Sequence, residues 1–142
     1  MRRMRILALT TAVVLALATV WGAGQAVSAE KVKIALNRSK GVQSGSGEAV
    51  IVDRALTIQV KDLKPTSVYT VWFVNMTPKE EMAGVGNAPY SFKTDQQGTA
   101  TFKATLAEPP FGKWQMLVIV RHPTGDPKDM MNKEDALWAK LM

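Results

Sequence analysis

The sequence contains no cysteine and only one histidine, and these two scarcities limit the chemistry it can perform. Without cysteine there can be no thiol nucleophile, redox pair, iron–sulfur cluster, Cys-ligated zinc or blue-copper site. A Ser-His-Asp triad would depend on His122 alone, and no serine stands in the strand–turn–helix context of a nucleophile elbow. We therefore predict that the protein is not an enzyme.

Clustered charge is also missing, because the basic residues are scattered without a run of three or more. The chain carries 18 basic and 12 acidic residues, a net charge of +6. Three of the basic residues lie within the first five positions, so the rest of the chain has 15 basic residues and a net charge of +3. Nucleic-acid binding proteins need a concentrated basic patch. We expect no nucleic-acid partner.

Only one long apolar run is present, and it lies at the N-terminus. Segment 1–29 begins with arginines, continues with an uncharged run over Ile6–Val20, and ends in the small residues Val27, Ser28 and Ala29. This order of regions is typical of a cleaved secretory signal, and the run is shorter than the roughly 20 residues that span a bilayer. We expect a signal-peptide helix, export to the periplasm or the extracellular space, and no stable membrane span after cleavage.

The stretch Val68–Asn75, VYTVWFVN, is the most informative part of the remaining sequence. Its β-branched and aromatic residues favour a strand, and both faces of that strand are largely apolar, which predicts a central strand covered on both sides. Alternating apolar and polar residues predict further strands around it. The seven predicted strands are Glu30–Leu36, Glu48–Val52, Arg54–Lys61, Val68–Asn75, Tyr90–Thr94, Thr99–Leu106 and Trp114–Arg121.

Short strands separated by turn residues predict an all-β fold, an Ig-like antiparallel β-sandwich of about seven strands over residues 30–142. A five- or six-stranded barrel is the alternative. We expect Tyr90–Thr94 and Thr99–Leu106 to form a hairpin, and Trp72 to pack on Trp114. Thr77–Glu81 has the composition of a helical turn. The last segment, Met130–Met142, predicts a short C-terminal helix, because Leu137 and Leu141 are four residues apart.

Several of these features occur together in a known family. In order they are a glycine-rich segment, a turn at Leu63–Pro65, the pair Tyr69 and Trp72 in the spacing Y-x-x-W, an Asp-x-x-Gly turn at Asp95–Gly98, and the final Pro123–Pro127. The stretch Gly45–Pro127 resembles the extracytoplasmic β-sandwich domain of anti-sigma-K factors. The resemblance implies a small exported sandwich that acts as a sensor or interaction module. Since we expect no sigma-binding region and no retained membrane span, it does not imply sigma-factor binding.

These observations favour a non-catalytic binding or assembly module of the bacterial envelope, with a protein partner and no cofactor. The longest irregular segment, Met76–Pro89, and the loop His122–Met131 are the predicted contact surfaces, since loops carry much of protein function. Exposed sheet edges could also pair with a partner strand. Within these regions and the C-terminal segment, we predict that Met76, Met82 and Trp138 contribute to the interaction surface.

A periplasmic copper-binding protein is the alternative function. Thioether and imidazole groups are ligands that suit Cu(I). His122, Met130 and Met131 are the candidate ligands, because they lie within ten residues of one another. The other methionines outside the signal segment are Met76, Met82, Met116 and Met142.

Overall fold

Nine antiparallel strands form the part of the chain that a computed structural model describes, residues 30–141. They are β1 (Lys31–Arg38), β2 (Ser46–Val52), β3 (Ala55–Lys61), β4 (Val68–Asn75), β5 (Glu81–Gly84), β6 (Ser91–Lys93), β7 (Ala100–Thr105), β8 (Met116–His122) and β9 (Glu134–Lys140). The predicted signal segment 1–29 and Met142 lie outside the described residues. Within residues 30–141 no helix is long and apolar enough to cross a bilayer.

Strand β4 has the position that its sequence predicts. It pairs with β8 over seven residues, and its other edge pairs with β5 and β6. The inner residues Tyr69, Val71 and Phe73 lie in the hydrophobic core, while Thr70 and Val74 are buried on the opposite face. The prediction of a central strand with two covered faces is therefore confirmed.

The strands form one sheet that curls around a single core. Its order is β5-β4-β8-β9-β1-β2-β3-β7, and β6 pairs with β4 beside β5. Strand β1 joins the two halves of this sheet, because Leu36 and the residues before it pair with β2, whereas Asn37 and Arg38 pair with β9. We call the two parts the β2–β3–β7 half and the β4–β8–β9 half.

Both halves contribute side chains to the same core, so the curled sheet encloses its apolar face. Inward residues recur at every second position, as the alternation in the sequence predicts. The largest fully buried apolar side chains are Tyr69, Ile51, Leu56, Ile58, Leu117, Ile119, Leu137, Val60, Val71, Val85 and Val120.

The C-terminal segment forms strand β9 rather than the predicted helix. Leu137 and Leu141 are four residues apart, and that spacing places two side chains on one face of a strand as well as of a helix. In the structure Leu137, Ala139 and Leu141 all face the core at a spacing of two residues. The strand pairs with both β8 and β1, with a bulge around Ala136. This tertiary pairing overrides the helix propensity of the segment.

Two more local predictions are wrong. The turn at Asp95–Gly98 forms, but β6 pairs with β4 and β7 pairs with β3, so the two strands make no hairpin ladder. This turn instead carries the chain from one half of the sheet to the other. The segment expected to form a helical turn leads into strand β5, which pairs with β4 and was not predicted.

The tryptophans also pack differently from the prediction. Trp114 stacks on Phe73 on the inner side of the sheet, with ring centroids 6.1 Å apart. Trp72 packs edge-on against Tyr90, with centroids 5.4 Å apart. Because Trp72 and Phe73 are consecutive residues of one strand, they point to opposite faces. Trp72 therefore lies on the outer face, where Trp114 cannot reach it.

The turn that joins the two halves depends on a glycine. Gly98 has a φ of +74°, its carbonyl accepts a hydrogen bond from Leu63 N–H, and a Cβ there would overlap the Leu63 carbonyl oxygen. We expect Gly98→Ala to lower the free energy of unfolding by about 3 kcal/mol, because left-handed strain adds to a backbone overlap. Chemical denaturation measures this change.

Gly112 provides the matched control. It also has a positive φ, +83°, but nothing lies within 4 Å of the position of its Cβ. Gly112→Ala should therefore cost only the conformational strain, about 1–2 kcal/mol. Equal losses in the two variants would show that the close approach to Leu63 contributes nothing to stability.

Candidate functional site

The two halves of the sheet present very different outer faces to their surroundings. On the β2–β3–β7 half the outward side chains are mostly polar, and they include Lys33, Glu48, Gln59, Thr101 and Lys103. This is the ordinary pattern of an antiparallel sheet with one solvated face. No special binding role is needed to explain it.

The outer face of the β4–β8–β9 half is apolar instead. Two rows of side chains run across neighbouring strands of this face, as the strand register shows. The first row is Met82, Val74 and Met116, and the second row is Trp72, Val118 and Trp138. Val74 is buried, Met82 is 41% exposed, and the other four are half-buried. We call this surface the apolar face.

Two grooves adjoin the apolar face. The Trp138 groove, of about 430 Å³, is lined by Ser39, Lys40, Met116, Val118, Asp135, Trp138 and Lys140. The Trp72 groove, of about 440 Å³, is lined by Trp72, Ala88, Pro89, Tyr90, Pro127, Lys128 and Met130. Aromatic, proline and methionine side chains with lysines at the margin can contact apolar groups and negative charge.

Gly84 allows Tyr90 to form one wall of the Trp72 groove. The Tyr90 ring lies directly over Gly84, and a Cβ at that position would overlap the ring. The ring meets Trp72 at 67°, an edge-on geometry that aromatic pairs favour. Tyr90 itself has a φ of +65°, which is strained for a bulky residue. The chain thus holds an aromatic side chain in an unfavourable backbone conformation next to the groove.

A buried hydrogen-bond chain lies beneath the Trp72 groove. Trp72 Nε1 donates to Thr70 Oγ1 at 2.7 Å, and Thr70 Oγ1 lies 2.7 Å from His122 Nε2. His122 Nδ1 lies 3.0 Å from the Asp129 carbonyl oxygen, which can only accept. Nδ1 therefore carries a hydrogen, and Nε2 forms the second hydrogen bond of the ring with the Thr70 hydroxyl group. His122 thus hydrogen-bonds the loop that follows β8.

Asp129 organises the same loop with its carboxylate. Its oxygens accept hydrogen bonds from the backbone N–H groups of Met131 and Asn132, from the Asn132 amide and from the Thr124 hydroxyl. The Asn132 side-chain bond contributes most to lowering the pKa of Asp129 below its ordinary value. Asp129 thus binds the N–H groups that follow it, as a helix cap would, but the chain then enters β9.

The predicted interaction residues lie on or beside the apolar face. Met82 and Trp138 occupy its two rows, and Met76, which is 55% exposed, follows directly after the end of β4. Their role in binding stays a prediction. Their grouping with Trp72 and Tyr90 was not predicted, although outward apolar residues at alternate positions of two strands were a signal for this face.

The candidate copper ligands are less favourably placed for their predicted role than the interaction residues are for theirs. Both ring nitrogens of His122 make hydrogen bonds inside the fold, and its exposure is 2%. Met130 lines the Trp72 groove, whereas Met131 is 92% exposed. Coordination by His122 would require one of its two hydrogen bonds to break. Nothing in this geometry favours copper over the binding role.

Comparison of the chain with protein-family models, with curated proteins and with solved structures found no match. The assignment of a function therefore depends on the geometry of the described residues.

Removing the Thr70 hydroxyl tests the buried hydrogen-bond chain. Thr70 is fully buried, and Thr70→Val would leave Trp72 Nε1 and His122 Nε2 without their partner. We expect a loss of about 1–3 kcal/mol in the free energy of unfolding, the cost of unsatisfied buried polar groups. The matched control is Thr101→Val, an exposed strand position on β7, which should change stability by less than about 0.5 kcal/mol. An unchanged free energy of unfolding in Thr70→Val would contradict the network.

Protonation of Asp129 should loosen the loop that forms one wall of the Trp72 groove. A lowered pKa means that its contribution to stability is present above the unfolded value of about 3.9 and is lost as pH falls through the lower folded value. The NMR amide shifts of Met131 and Asn132 should therefore stay constant down to about pH 4 and change below it. In Asp129→Asn this titration should be absent. A midpoint above about 4 in the parent protein would refute the expected direction.

Proposed function

We propose that this protein is an exported, non-catalytic binding module of the cell envelope, and that the apolar face is its contact surface. The observation that carries the proposal is the contrast between a polar outer face on one half of the sheet and an apolar one on the other. An antiparallel sheet ordinarily leaves its outer side polar, so two tryptophans and two methionines there need another explanation. Contiguous exposed apolar patches on soluble domains are typical of interaction sites.

The partner that fits this face is a protein segment with apolar and acidic side chains. Lys40 and Lys140 line the Trp138 groove together with Asp135, and Lys128 lines the Trp72 groove. The two grooves therefore have three positive charges and one negative charge at their margins. Apolar side chains of the partner would enter the grooves, and its carboxylates would lie near the lysines. The buried chain from Trp72 to His122 would keep the Trp72 groove in place.

The fold expected from the sequence is compatible with this role. We propose that the curled sheet is an Ig-like β-sandwich, in which the β2–β3–β7 half and the β4–β8–β9 half are the two layers. The resemblance to the extracytoplasmic domain of anti-sigma-K factors implies the same general class, an exported interaction module. Neither consideration specifies a partner, and the charge and shape of the two grooves support the proposed partner chemistry.

Charge reversal at the margin of the Trp138 groove tests the proposal. The probes are two synthetic peptides with the same apolar residues, one carrying Asp and Glu and the other carrying Lys. We expect only the acidic peptide to bind, seen as a shift of the Trp138 indole N–H resonance. The double variant Lys40→Glu/Lys140→Glu should weaken this binding about tenfold, since two favourable charge contacts become repulsive.

The control variant places the same charge change on the other half of the sheet. Lys33→Glu/Lys103→Glu alters two exposed lysines of the polar outer face and should leave the affinity unchanged. Equal binding of the basic peptide, or an equal loss in the control, would disprove the proposed surface. Raising the salt concentration should weaken binding to the parent protein more than to the double variant, because screening acts on exposed charges.

A further inference from the structure

Arg121 brings a charge to the inner side of the sheet, at one end of the core. It follows Leu117 and Ile119 at two-residue intervals along β8, and both of those side chains lie in the core. Its register partners are Tyr69 on β4 and Glu134 on β9. A charged group at the end of an inward row needs polar partners, because burial of an unpaired charge is unfavourable.

The Arg121 guanidinium group is only partly paired. Its Nη1 donates to Glu134 Oε2 at 3.0 Å, and its side chain is 20% exposed. Its Nε atom is buried and has no hydrogen-bond partner among residues 30–141. Folded proteins rarely leave a buried donor without an acceptor. The guanidinium group therefore keeps donors that Glu134 does not use, and a further acceptor beside it would complete its pairing.

Tyr69 provides a second donor beside Arg121. Its hydroxyl oxygen accepts a hydrogen bond from the Lys64 backbone N–H at 3.1 Å, and this bond does not use the phenolic hydrogen. Burial raises the pKa of Tyr69 above its ordinary value, although the Lys64 hydrogen bond and the Arg121 charge act in the opposite direction. The hydroxyl group therefore stays protonated at neutral pH and can donate a hydrogen bond.

A cavity of about 370 Å³ opens at these two residues. Its walls come from the glycine-containing loop 41–44, the turn at 63–64 and the start of β9 at 134–136. This volume falls in the range of small-molecule sites. Lys64 contributes positive charge to the lining, and Glu134 and Asp135 contribute negative charge from the β9 side. The cavity thus combines two donors with charges of both signs.

We propose that this cavity binds a small carboxylate, whose oxygens accept hydrogen bonds from the Arg121 guanidinium group and the Tyr69 hydroxyl group. An arginine edge and a carboxylate group match each other in shape and charge. Because Glu134 and Asp135 repel additional negative charge, the site favours a carboxylate that also carries an ammonium group, as in a free amino acid, over a phosphate. The site shares Asp135 with the Trp138 groove, but it does not depend on the partner proposed for the apolar face.

NMR titration of the protein with four probes tests the site. The probes are alanine, propionate, propionamide and inorganic phosphate. We expect alanine and propionate to shift the Arg121 Nε–H resonance, with alanine binding more tightly. Propionamide should leave that resonance in place, because it has no negative charge, and phosphate should bind more weakly than either carboxylate.

Substitutions separate a binding role from a purely structural ion pair. Arg121→Gln should weaken carboxylate binding at least about tenfold, and Tyr69→Phe should weaken it several-fold. Arg54→Gln, at an exposed turn position, is the control and should have no effect. Glu134→Gln is the decisive variant: it removes a negative charge beside the site, so it should tighten the binding of propionate and reduce the preference for alanine. A structural ion pair alone predicts that Glu134→Gln lowers stability and creates no gain in affinity.

Two outcomes would overturn the proposal. One is the absence of any shift at Arg121 with alanine and propionate in the parent protein. The other is binding of phosphate as tight as binding of alanine, which would indicate a general response to anions. If Arg121→Gln does not fold, the parent titration and Glu134→Gln still decide the matter, since Glu134 is exposed and its substitution leaves the core intact.

Discussion

The structure depends on one strand having both of its faces covered. The inner side chains of β4 fill the core between the two halves of the sheet, and Thr70 and Val74 are buried on the other side. The sheet cannot cover the outer face of β4 by itself. The loops around Tyr90 and Asp129 cover part of that face. The walls of the Trp72 groove are thus a consequence of how β4 is buried.

The change of pairing partner along β1 explains why the two outer faces can differ so much. Leu36 still pairs with β2, and the next two residues pair with β9, so a single strand serves both halves. The halves share one core but have separate outer surfaces. The residue types on one outer surface therefore do not depend on those on the other. The polar face needs only to be solvated. The apolar face retains side chains that would be unfavourable in water unless a partner covers them.

Alternation in the sequence predicted the strands that face the core, because inward residues such as Leu56, Ile58 and Val60 recur at every second position. Strands β4 and β8 both have apolar residues on two faces, and they pair with each other in the structure. The prediction of a C-terminal helix failed because one spacing fits two structures: Leu137 and Leu141 suit a helix and a strand equally. Strand β5 was missed because its residues, EMAG, have little strand propensity, and only pairing with β4 makes them a strand.

The candidate sites were harder to predict, since they arise from residues that are distant in sequence. His122 was predicted as a candidate copper ligand, and its hydrogen bond to Thr70 depends on the β4–β8 register. No role was predicted for Arg121, because an arginine at a strand end is ordinary until its register partners are known.

Arg121 and His122 are consecutive residues of β8, so they point to opposite faces of that strand. Arg121 lies at the inner cavity, and His122 holds the loop that forms one wall of the outer Trp72 groove. That loop leaves β8 after His122 and enters β9 at Glu134, the ion-pair partner of Arg121. The inner and the outer site therefore share one strand end and one loop. The register of β8 against its two neighbours fixes the geometry of both sites.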